Sequence, residues 1–419
     1  MKILWFTNTP SLYDQGNHHY HGGGWIESLE ELVREQEDNE LAVSFFHKTD
    51  NEKAKKNGTT YYPILQKSAK RNPFKAVLNN WRGKFEEENL DDKFLNIISN
   101  FQPDVIQVFG TEGPFSKIQE LTKIPVVIHI QGVINPCLNA YYPVNYSEWN
   151  YVLNKNYIFN NLIANSPAFG KKRFAAQAKR ERNFLSKAKY IMGRTHWDKM
   201  LVELYNPNVQ YFHVDEVLRP LFYKVDTISK YHPNKKFKII STLSPTVYKG
   251  IDVVLKTAKK LKELANFEFQ WEIIGLEENA TLLQHFEKTE KIMHQEVDII
   301  CSGKKSPEEI IKIMQEADVF VHPSYIDNSP NSVCEAQIIG LPVIACNVGG
   351  VASLIQHKET GFMVPSNGVF ELVHYLRKLN EDKNLRNKIG QQARLIASQR
   401  HNRKKIVTDL LAVYSKLSN

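Results

Sequence analysis

The chain has 419 residues, 42% of them hydrophobic and 24% charged, with a formal net charge of +8 at pH 7. This is the composition of an ordinary globular protein, and the length favours two domains with a sizeable core each. No run approaches the roughly 20 apolar residues that a membrane-spanning helix needs. The apolar run at the amino terminus is too short for a signal peptide, so we expect a soluble, cytoplasmic protein.

Residues 1–215 alternate strand-like apolar runs with helical patterns, which predicts an α/β unit with a parallel, doubly wound sheet. One helical face after Gly24 carries Ile26, Leu29 and Val33. The fourth predicted strand is nearly continuous in apolar residues, as expected of a strand covered on both faces. The predicted strands are Ile3–Thr7, Leu41–His47, Val105–Gly110, Val126–Ile130 and Tyr190–Gly193.

A loop after the first predicted strand leads into the triplet Gly22, Gly23 and Gly24 at the start of a helix. Glycines in such a place let backbone N–H groups approach a phosphate closely. The loop lacks the G-x-G-x-x-G spacing, which argues against a nicotinamide dinucleotide. A plain flexible turn is the alternative interpretation.

No metal is expected from the sequence. His18, His19 and His21 share the same loop, but a loop gives them no fixed geometry. The four cysteines show no C-x-x-C pairing, and three of them lie in or beside apolar segments, so reduced thiols are expected rather than a zinc site or a disulfide framework.

Basic residues concentrate in two segments, 53–84 and 171–199. The first interleaves its lysines and arginines with apolar side chains, among them Phe74, Leu78 and Trp81. Such a segment can lie on an anionic membrane surface, which would bring the protein to the inner face of the membrane. Solvated helix faces are the alternative. Nucleic acid is not an expected partner, because no RNA-recognition motif or zinc finger accompanies the charge.

Three polar side chains lie where predicted strands of the first half end. Glu112 follows Val105–Gly110, and His129 and Gln131 lie in and just after Val126–Ile130. Ligands of doubly wound sheets bind outside the carboxyl ends of the strands, so each side chain is a candidate contact. A structural role for His129 and a solvated loop position for Glu112 are the alternatives.

The second half of the chain repeats the same alternation. Residues 216–236 contain two prolines with little periodicity and predict an interdomain linker. Residues 237–395 predict a second Rossmann-like domain, and residues 396–419 end the chain in a helix with one apolar face. The predicted strands are Phe237–Ser241, Trp271–Gly275, Val297–Ser302, Val319–His322 and Val343–Cys346.

The most informative pattern follows the fourth of these strands. A polar loop carries Asp327, and Glu335 comes eight residues later inside a short predicted helix. Asn328 and Ser329 are predicted N-caps, with Pro330 as the first helical residue. A helix start of this kind is a ready anion site, and flanking carboxylates can bind hydroxyls, which suits a ligand that joins a diphosphate to sugars. An ordinary strand–loop–helix–strand unit with chance acids is the alternative.

This pattern resembles the signature of glycosyltransferase family 4, whose members are retaining enzymes of the GT-B fold. The family has an acid, seven residues, Glu, a small-G-x-P-V-(V/I)-A strand and a G-G turn. Here Asp327-x7-Glu335 is followed by Gly340–Ala345 and by Gly349-Gly350. The first acid is usually Glu, and Asp327 is one methylene shorter.

A second loop, Ser241–Gly250, resembles the family loop G-R-L-x-x-x-K-G, whose Arg and Lys neutralise the donor diphosphate. Lys249 matches the Lys, whereas Thr242 takes the place of the Arg. A charged hydrogen bond is worth roughly 1.5–3 kcal/mol, so we expect another cation to replace the missing one.

The resemblance implies two Rossmann-like domains with an interdomain cleft, the first binding the acceptor and the second binding the nucleotide sugar, with the last helix crossing back onto the first domain. It implies that Glu335 binds the ribose hydroxyls, Asp327 the hydroxyls of the donor sugar, and Lys249 the diphosphate together with the N–H groups of Ser332 and Val333.

The remaining site residues also follow from the resemblance. The family often has a His near the donor sugar. Gln131 takes that position here, and His129 lies two residues earlier on the same side of the strand. The further predicted contacts of the nucleotide sugar are Gly22, Gly23, Gly24, Thr242, Gly275 and Asn331.

The implied activity is retaining transfer of a sugar from a nucleotide diphosphate sugar to a saccharide or lipid-linked acceptor, in surface polysaccharide or glycolipid synthesis. It needs no metal, and the sequence contains no D-x-D pair of the kind that metal-dependent GT-A enzymes use. Two alternatives stay open: another GT-B enzyme, such as a nucleotide-sugar epimerase or hydrolase, and a non-catalytic protein that binds nucleotide sugars.

Overall fold

The computed structural model describes residues 1–14, 24–48, 53–65, 73–82, 89–225, 236–265 and 267–418, and every structural statement below concerns these residues. The chain divides into two compact units. The first unit comprises Met1–Leu138, Lys171–Arg219 and His401–Asn419, and the second comprises Asn139–Gly170 and Pro220–Arg400.

Within the described residues, the first unit contains an eight-stranded sheet in the order β3-β4-β2-β1-β5-β6-β7-β8. Neighbouring strands are parallel, apart from the antiparallel pair of β3 and β4 at one edge. The strands are β1 Lys2–Thr7, β2 Glu40–His47, β3 Ala54–Lys56, β4 Thr59–Leu65, β5 Val105–Phe109, β6 Val126–His129, β7 Tyr190–Gly193 and β8 Gln210–His213.

The sheet of the second unit has the order β11-β10-β9-β12-β13-β14, and its neighbouring strands are parallel throughout the described part. Short buried strands of this kind need cover on both faces, which the crossover helices supply. The strands are β9 Phe237–Thr242, β10 Phe269–Ile274, β11 Ile299–Gly303, β12 Val319–His322, β13 Val343–Cys346 and β14 Phe362–Val364.

Helices connect the strands in both units. In the first half of the chain they are α1 Gly24–Arg34, α2 Pro73–Trp81, α3 Asp91–Phe101, α4 Ile134–Asn139, α5 Glu148–Val152, α6 Ile158–Leu162, α7 Pro167–Lys187 and α8 His196–Tyr205. In the second half they are α9 Pro220–Tyr223, α10 Ile251–Leu264, α11 Thr281–Glu290, α12 Pro307–Glu316, α13 Asn331–Ile338, α14 Val369–Glu381, α15 Lys383–Arg400 and α16 Arg403–Ser418.

The first sheet separates two apolar cores. Alternate side chains of β1 point to opposite faces, so Trp5 packs in one core while Leu4 and Phe6 pack in the other. The apolar face of α16 packs in the core that holds Trp5, where α16 contacts α1 and β5. The last helix of the chain is therefore a structural element of the first unit.

Residues 139–170, hereafter the 139–170 segment, belong to the second unit although both neighbouring stretches belong to the first. The Tyr146 hydroxyl donates to Glu290 Oε1 at 2.5 Å, and the ring of Tyr151 stacks on that of His285 at 4.5 Å. Asn154 Nδ2 lies 2.8 Å from His285 Nδ1. These aromatic and polar contacts attach the segment to α11.

The predicted strands are confirmed with shifts of at most two residues at their ends, and three match in full: Tyr190–Gly193, Val319–His322 and Val343–Cys346. For the basic segment 53–84, the alternative interpretation as solvated helix faces is wrong at Ala54–Lys56, which forms the strand β3. Asn57 and Gly58 have φ values of 49° and 90°, and this Asn-Gly turn joins β3 to β4 as a hairpin. The strand β8 also escaped prediction.

In the described part of the chain, no helix combines the length and the apolar character needed to cross a membrane.

Candidate functional site

Two loops at the carboxyl ends of the adjacent strands β9 and β12 are locked together in the second unit. The Tyr325 N–H donates to the carbonyl oxygen of Tyr248 at 2.9 Å. Gly250 has a φ of +80°, and a Cβ atom there would lie 2.2 Å from the carbonyl oxygen of Pro323. Only glycine fits this approach, which explains the Lys-Gly pair and fixes the backbone beside Lys249.

Lys249 and Asp327 form an ion pair across these loops. The distance from Lys249 Nζ to Asp327 Oδ2 is 2.6 Å, and His322 Nε2 lies 3.3 Å from the same oxygen. Burial alone would raise the pKa of Asp327, but the Lys249 ammonium and His322 outweigh it and hold the pKa well below its usual range. Asp327 is therefore an ionised acceptor at neutral pH.

The Gly349-Gly350 turn holds the backbone of Asp327. The Gly350 N–H donates to the Asp327 carbonyl oxygen at 3.0 Å. Gly349 has a φ of +52°, and a Cβ atom there would lie 1.9 Å from the same oxygen. The turn and the acid are thus parts of one arrangement, although 22 residues separate them in the sequence.

The helix α13 begins one residue later than predicted. Pro330 is the N-cap, with φ −66° and ψ 116°, so neither Asn328 nor Ser329 caps the helix and Pro330 is not its first residue. The Val333 N–H, which was predicted to donate to the diphosphate, already donates to the Pro330 carbonyl oxygen at 3.0 Å. Ser332 precedes it in the same first turn, where helix amides have no intrahelical acceptor.

Two other predicted side chains lie on α13. Glu335 is buried in the second turn. Asn331 is the first helical residue, and its buried Oδ1 atom has no hydrogen-bond partner among the described residues. A buried carbonyl oxygen without a donor is costly, so a ligand donor at Asn331 would be favourable.

Thr242 ends β9, and Gly275 directly follows the neighbouring strand β10. The buried hydroxyl of Thr242 has no hydrogen-bond partner in the described part of the chain. Gly275 has a φ of +91°, and a Cβ atom there would lie 2.8 Å from the carbonyl oxygen of Leu243. Gly275 therefore lets the loop after β9 pass close to β10.

In the first unit, the candidate residues lie at the ends of β5 and β6. His129 Nδ1 lies 3.2 Å from Gln107 Nε2, and burial, with the nearby Arg194 charge, lowers the pKa of His129 well below its usual value. Glu112 Oε1 accepts from the Gly132 N–H at 3.0 Å, and burial raises the pKa of Glu112. The Gln131 carbonyl oxygen accepts from Arg194 Nη2 at 3.1 Å.

The glycine triplet is described in part. Gly24 begins α1, and a Cβ atom there would lie 3.1 Å from Cδ of Arg219. Gly22 and Gly23 lie outside the described residues, as do His18, His19 and His21. Elsewhere, no group of three or more His, Cys, Asp or Glu side chains in the described ranges could hold a metal ion.

Two residues of these sites were missed by the sequence analysis. His322 is the last residue of β12 and contacts Asp327, and Arg194 follows β7 and pairs with Glu216. A signal was present for both, because each is a polar residue directly at the end of a buried strand.

Much of the second unit matches the sequence model of a known protein family. Residues 226–396, less than half of the chain, match the family model of Glycosyl transferases group 1. The amylovoran biosynthesis glycosyltransferase AmsK of Erwinia amylovora is 28% identical over 155 residues, which cover 35% of this chain and 37% of AmsK.

A second relative is the Escherichia coli UDP-Gal:alpha-D-GlcNAc-diphosphoundecaprenol alpha-1,3-galactosyltransferase. It is 34% identical over 88 residues, which cover 19% of this chain and 23% of that enzyme. The chain therefore matches less than two fifths of the length of these curated relatives.

The solved structure of Anabaena HepE in complex with UDP aligns over 99% of this chain and 100% of that chain, with a TM-score of 0.66 and 15% sequence identity. A likeness at that identity shows the fold. The chain has the predicted GT-B fold, with two Rossmann-like parallel-sheet units, and its residues 226–396 match the Glycosyl transferases group 1 model.

Proposed function

We propose that the protein is a retaining, metal-independent glycosyltransferase that moves a sugar from a nucleotide diphosphate sugar to a saccharide or lipid-linked acceptor. The observation that carries the proposal is the pair of Lys249 and Asp327, 2.6 Å apart at the carboxyl end of the second sheet. One pair supplies a cation for a diphosphate and an ionised acceptor for sugar hydroxyls.

The donor binds to the second unit. Lys249 and the first turn of α13, at Ser332, meet the diphosphate, while Asp327 accepts hydrogen bonds from the donor sugar and Glu335 from the ribose. The UDP in the complex of Anabaena HepE, which shares the fold, supports a nucleoside diphosphate as the ligand.

The reaction is accelerated by stabilisation of the leaving group. Negative charge grows on the departing phosphate as the glycosidic bond breaks, and the Lys249 ammonium and helix N–H dipoles are already oriented to receive it. A fixed cation and fixed dipoles do the work that a metal ion does in other transferases. The departing phosphate takes the proton of the acceptor on the same face, which retains the anomeric configuration without a protein nucleophile.

The acceptor is saccharide or lipid-linked, and the product belongs to surface polysaccharide or glycolipid synthesis. The names of two relatives support this, one from amylovoran biosynthesis and one acting on a diphosphoundecaprenol acceptor. Recognition of the acceptor falls to the first unit, where His129 ends β6 and where Gln131 and Glu112 lie in the loops after β6 and β5.

A contact with an anionic membrane completes the proposal and brings the protein to the inner face of that membrane. On α2, Leu78 and Trp81 are each 48% exposed beside the basic segment. The 139–170 segment also exposes apolar side chains, and exposed aromatic and aliphatic residues bind the interface of a bilayer. The most exposed are Trp149 (66%), Leu153 (78%), Phe159 (70%) and Leu162 (63%).

Vesicle co-sedimentation tests the membrane contact. We expect binding to phosphatidylglycerol vesicles that falls in the double variant Trp149→Gln/Phe159→Gln, whereas Phe370→Gln, which changes an equally exposed ring on α14, retains it. Equal binding of all three proteins, or no binding, would reject the segment as a membrane contact.

Product analysis tests the reaction itself. The protein is incubated with a nucleotide sugar and a saccharide or lipid-linked acceptor pool, with and without EDTA, and the new linkage is examined by NMR. A product with the anomeric configuration of the donor, formed equally in EDTA, is the expected result. An inverted product or an EDTA-sensitive reaction would contradict the proposal.

The position of Thr242 favours one alternative, a non-catalytic protein that binds nucleotide sugars, since the family Arg is missing there. The same assay separates the candidates. An epimerase changes the donor without an acceptor, a hydrolase releases free sugar, and a binding protein leaves the donor intact. The variant Glu335→Ala should lower turnover in an enzyme, whereas in a binding protein it changes affinity alone.

A further inference from the structure

A buried chain of hydrogen bonds runs from the last helix of the protein to His129. Trp5 Nε1 donates to the Tyr414 hydroxyl oxygen at 2.9 Å, and the Tyr414 hydroxyl donates to Gln107 Oε1. Gln107 Nε2 lies 3.2 Å from His129 Nδ1. All four side chains are buried in the first unit, with at most 1% exposed.

The chemistry of the donors gives this chain a direction. The indole N–H of Trp5 can only donate, so the Tyr414 oxygen accepts from it and has its own proton left to give. The acceptor of that proton is Gln107 Oε1, which places the amide nitrogen of Gln107 toward His129. An amide nitrogen also only donates, so His129 Nδ1 must accept and the ring proton must lie on Nε2.

The reversed amide is unfavourable. If Gln107 were turned over, its nitrogen would face the Tyr414 oxygen, and the Tyr414 proton would have no acceptor in a buried site. The cost of such an unsatisfied group corresponds to roughly tenfold or more in population. The tautomer of His129 is thus set through Tyr414, which lies 409 positions from Trp5 and 307 positions from Gln107 along the chain.

The other ring nitrogen of His129, the buried Nε2 atom, is left without a hydrogen-bond partner among the described residues. The ring centroids of Trp25 and Phe109 lie 5.7 and 5.8 Å from the centroid of the His129 ring. Burial and the Arg194 charge lower the pKa of His129, so the ring is neutral at pH 7 and its single N–H is on Nε2.

We propose that Tyr414 is a positioning residue, which acts through Gln107 to hold His129 as the Nε2–H tautomer and so presents a neutral hydrogen-bond donor to a ligand oxygen. The identity of the ligand as a saccharide rests on the proposed function. The tautomer lock rests on the hydrogen-bond chain alone.

NMR tests the lock without any substrate. The protein is labelled with 13C,15N-histidine, and the His129 ring signals are assigned by their loss in His129→Gln. The tautomer is then read from the Cδ2 chemical shift. We expect the Nε2–H form in the unmodified protein and a clear gain of the Nδ1–H form in Tyr414→Phe, because the amide of Gln107 is then free to reverse.

The control is Tyr62→Phe, which removes another phenol hydrogen bond of the first unit, from Tyr62 to Asn100 Oδ1 at 2.7 Å. It should leave the His129 signals unchanged at a comparable loss of thermal stability. An Nδ1–H form in the unmodified protein, or identical His129 signals in Tyr414→Phe and the unmodified protein, would overturn the proposal.

The kinetic consequence is tested separately. With a transferase assay in hand, Tyr414→Phe should lower kcat/KM for the acceptor by roughly tenfold, the effect of one hydrogen bond, and leave the nucleotide-induced thermal shift unchanged. His129→Gln, which keeps an N–H donor, should retain more activity than His129→Leu. Equal losses in both would show that the Nε2–H donor is not used. An absence of all transferase activity would reject the proposed function and leave the NMR result to decide the lock.

Discussion

The candidate site residues of the two units are held in opposite electrostatic states. In the second unit, Lys249 and His322 outweigh burial and hold the pKa of Asp327 low, so the acid is ionised. In the first unit, burial dominates, lowering the pKa of His129 and raising that of Glu112. The region around Lys249 and Asp327, the charged region, holds its acid ionised. In the region around His129 and Glu112, the neutral region, burial drives both groups toward neutrality although the Arg194–Glu216 ion pair is near.

This difference matches two kinds of ligand. A diphosphate brings its own charge, and fixed cations stabilise it most when water is excluded. A sugar hydroxyl is neutral and needs one donor and one acceptor at well-defined positions. The charged region therefore suits the donor of the proposed reaction, and the neutral region suits its acceptor.

The largest effect is expected from removal of the cation. Lys249→Ala should lower kcat/KM by about 100- to 1,000-fold, the usual cost of removing one electrostatic contact to a developing negative charge. Steady-state kinetics with the nucleotide sugar measures it. Lys260→Ala is the control, since Lys260 pairs with Glu263 on the exposed side of α10. Equal activity of the two variants would remove Lys249 from the reaction.

The next effect concerns the backbone of the charged region. Gly349 and Gly340 both have positive φ, but a Cβ atom at Gly349 would meet the Asp327 oxygen at 1.9 Å, while the nearest atoms at Gly340 are 3.7 Å away. Gly349→Ala should therefore cost about 1–3 kcal/mol more than Gly340→Ala in urea unfolding. It should also weaken nucleotide binding, because it displaces Asp327. Equal costs would show that the loop adapts.

The dependence of stability on pH should differ in sign between the two regions. The folded pKa of Asp327 lies below its ordinary 3.8, so its stabilisation is present above that pH and is lost as the pH falls toward the folded value. The folded pKa of Glu112 lies above its ordinary 4.5, so its contribution is present below that pH and is lost as the pH rises through the folded value.

Two isosteric variants separate these contributions. Urea unfolding is measured from pH 3 to pH 7 for each variant and for the unmodified protein. Asp327→Asn should flatten the rise of stability with rising pH. Glu112→Gln should remove part of the fall of stability with rising pH. The same slope change in both variants would contradict the electrostatic contrast between the units.

The smallest effect is expected at Thr242, where the resemblance places an Arg. Thr242→Val removes a hydroxyl that has no partner among the described residues and keeps the side-chain shape. Unfolding should change little, whereas nucleotide affinity should fall roughly threefold if the hydroxyl binds a phosphate oxygen. Calorimetric titration measures this, and an unchanged dissociation constant would mean that Thr242 only fills space.

The parts of the molecule that depend on a local sequence pattern could be predicted from the sequence. Short runs rich in β-branched and aromatic residues, such as Val319–His322, favour buried strands, and a parallel sheet places the residues after them at one edge. The resemblance of Asp327-x7-Glu335 and of the Lys249 loop to the family signature then located the charged region. The glycines at positions 250 and 349 had a readable pattern, and the structure adds the carbonyl oxygens that exclude any side chain there.

The rest depends on contacts between distant parts of the chain. The attachment of the 139–170 segment to α11 rests on pairs such as Tyr151 and His285, which have no local signature. The tautomer of His129 depends on Tyr414 in the last helix, which the sequence marked only as part of an apolar face. The hairpin of β3 and β4 was readable from its Asn-Gly turn, but the concentration of lysines around it suggested a helix face instead.

Nucleotide binding is the most direct test of the account. Thermal unfolding is followed with UDP, GDP, ADP, CMP and TDP and their common sugars, with and without EDTA. A ligand at about 100 times its dissociation constant adds about 2.7 kcal/mol to the folded state. The account predicts stabilisation by one nucleoside diphosphate, unaffected by EDTA, lost in Lys249→Ala and kept in Lys260→Ala. No stabilisation by any of these nucleotides, or equal stabilisation of Lys249→Ala, would contradict it.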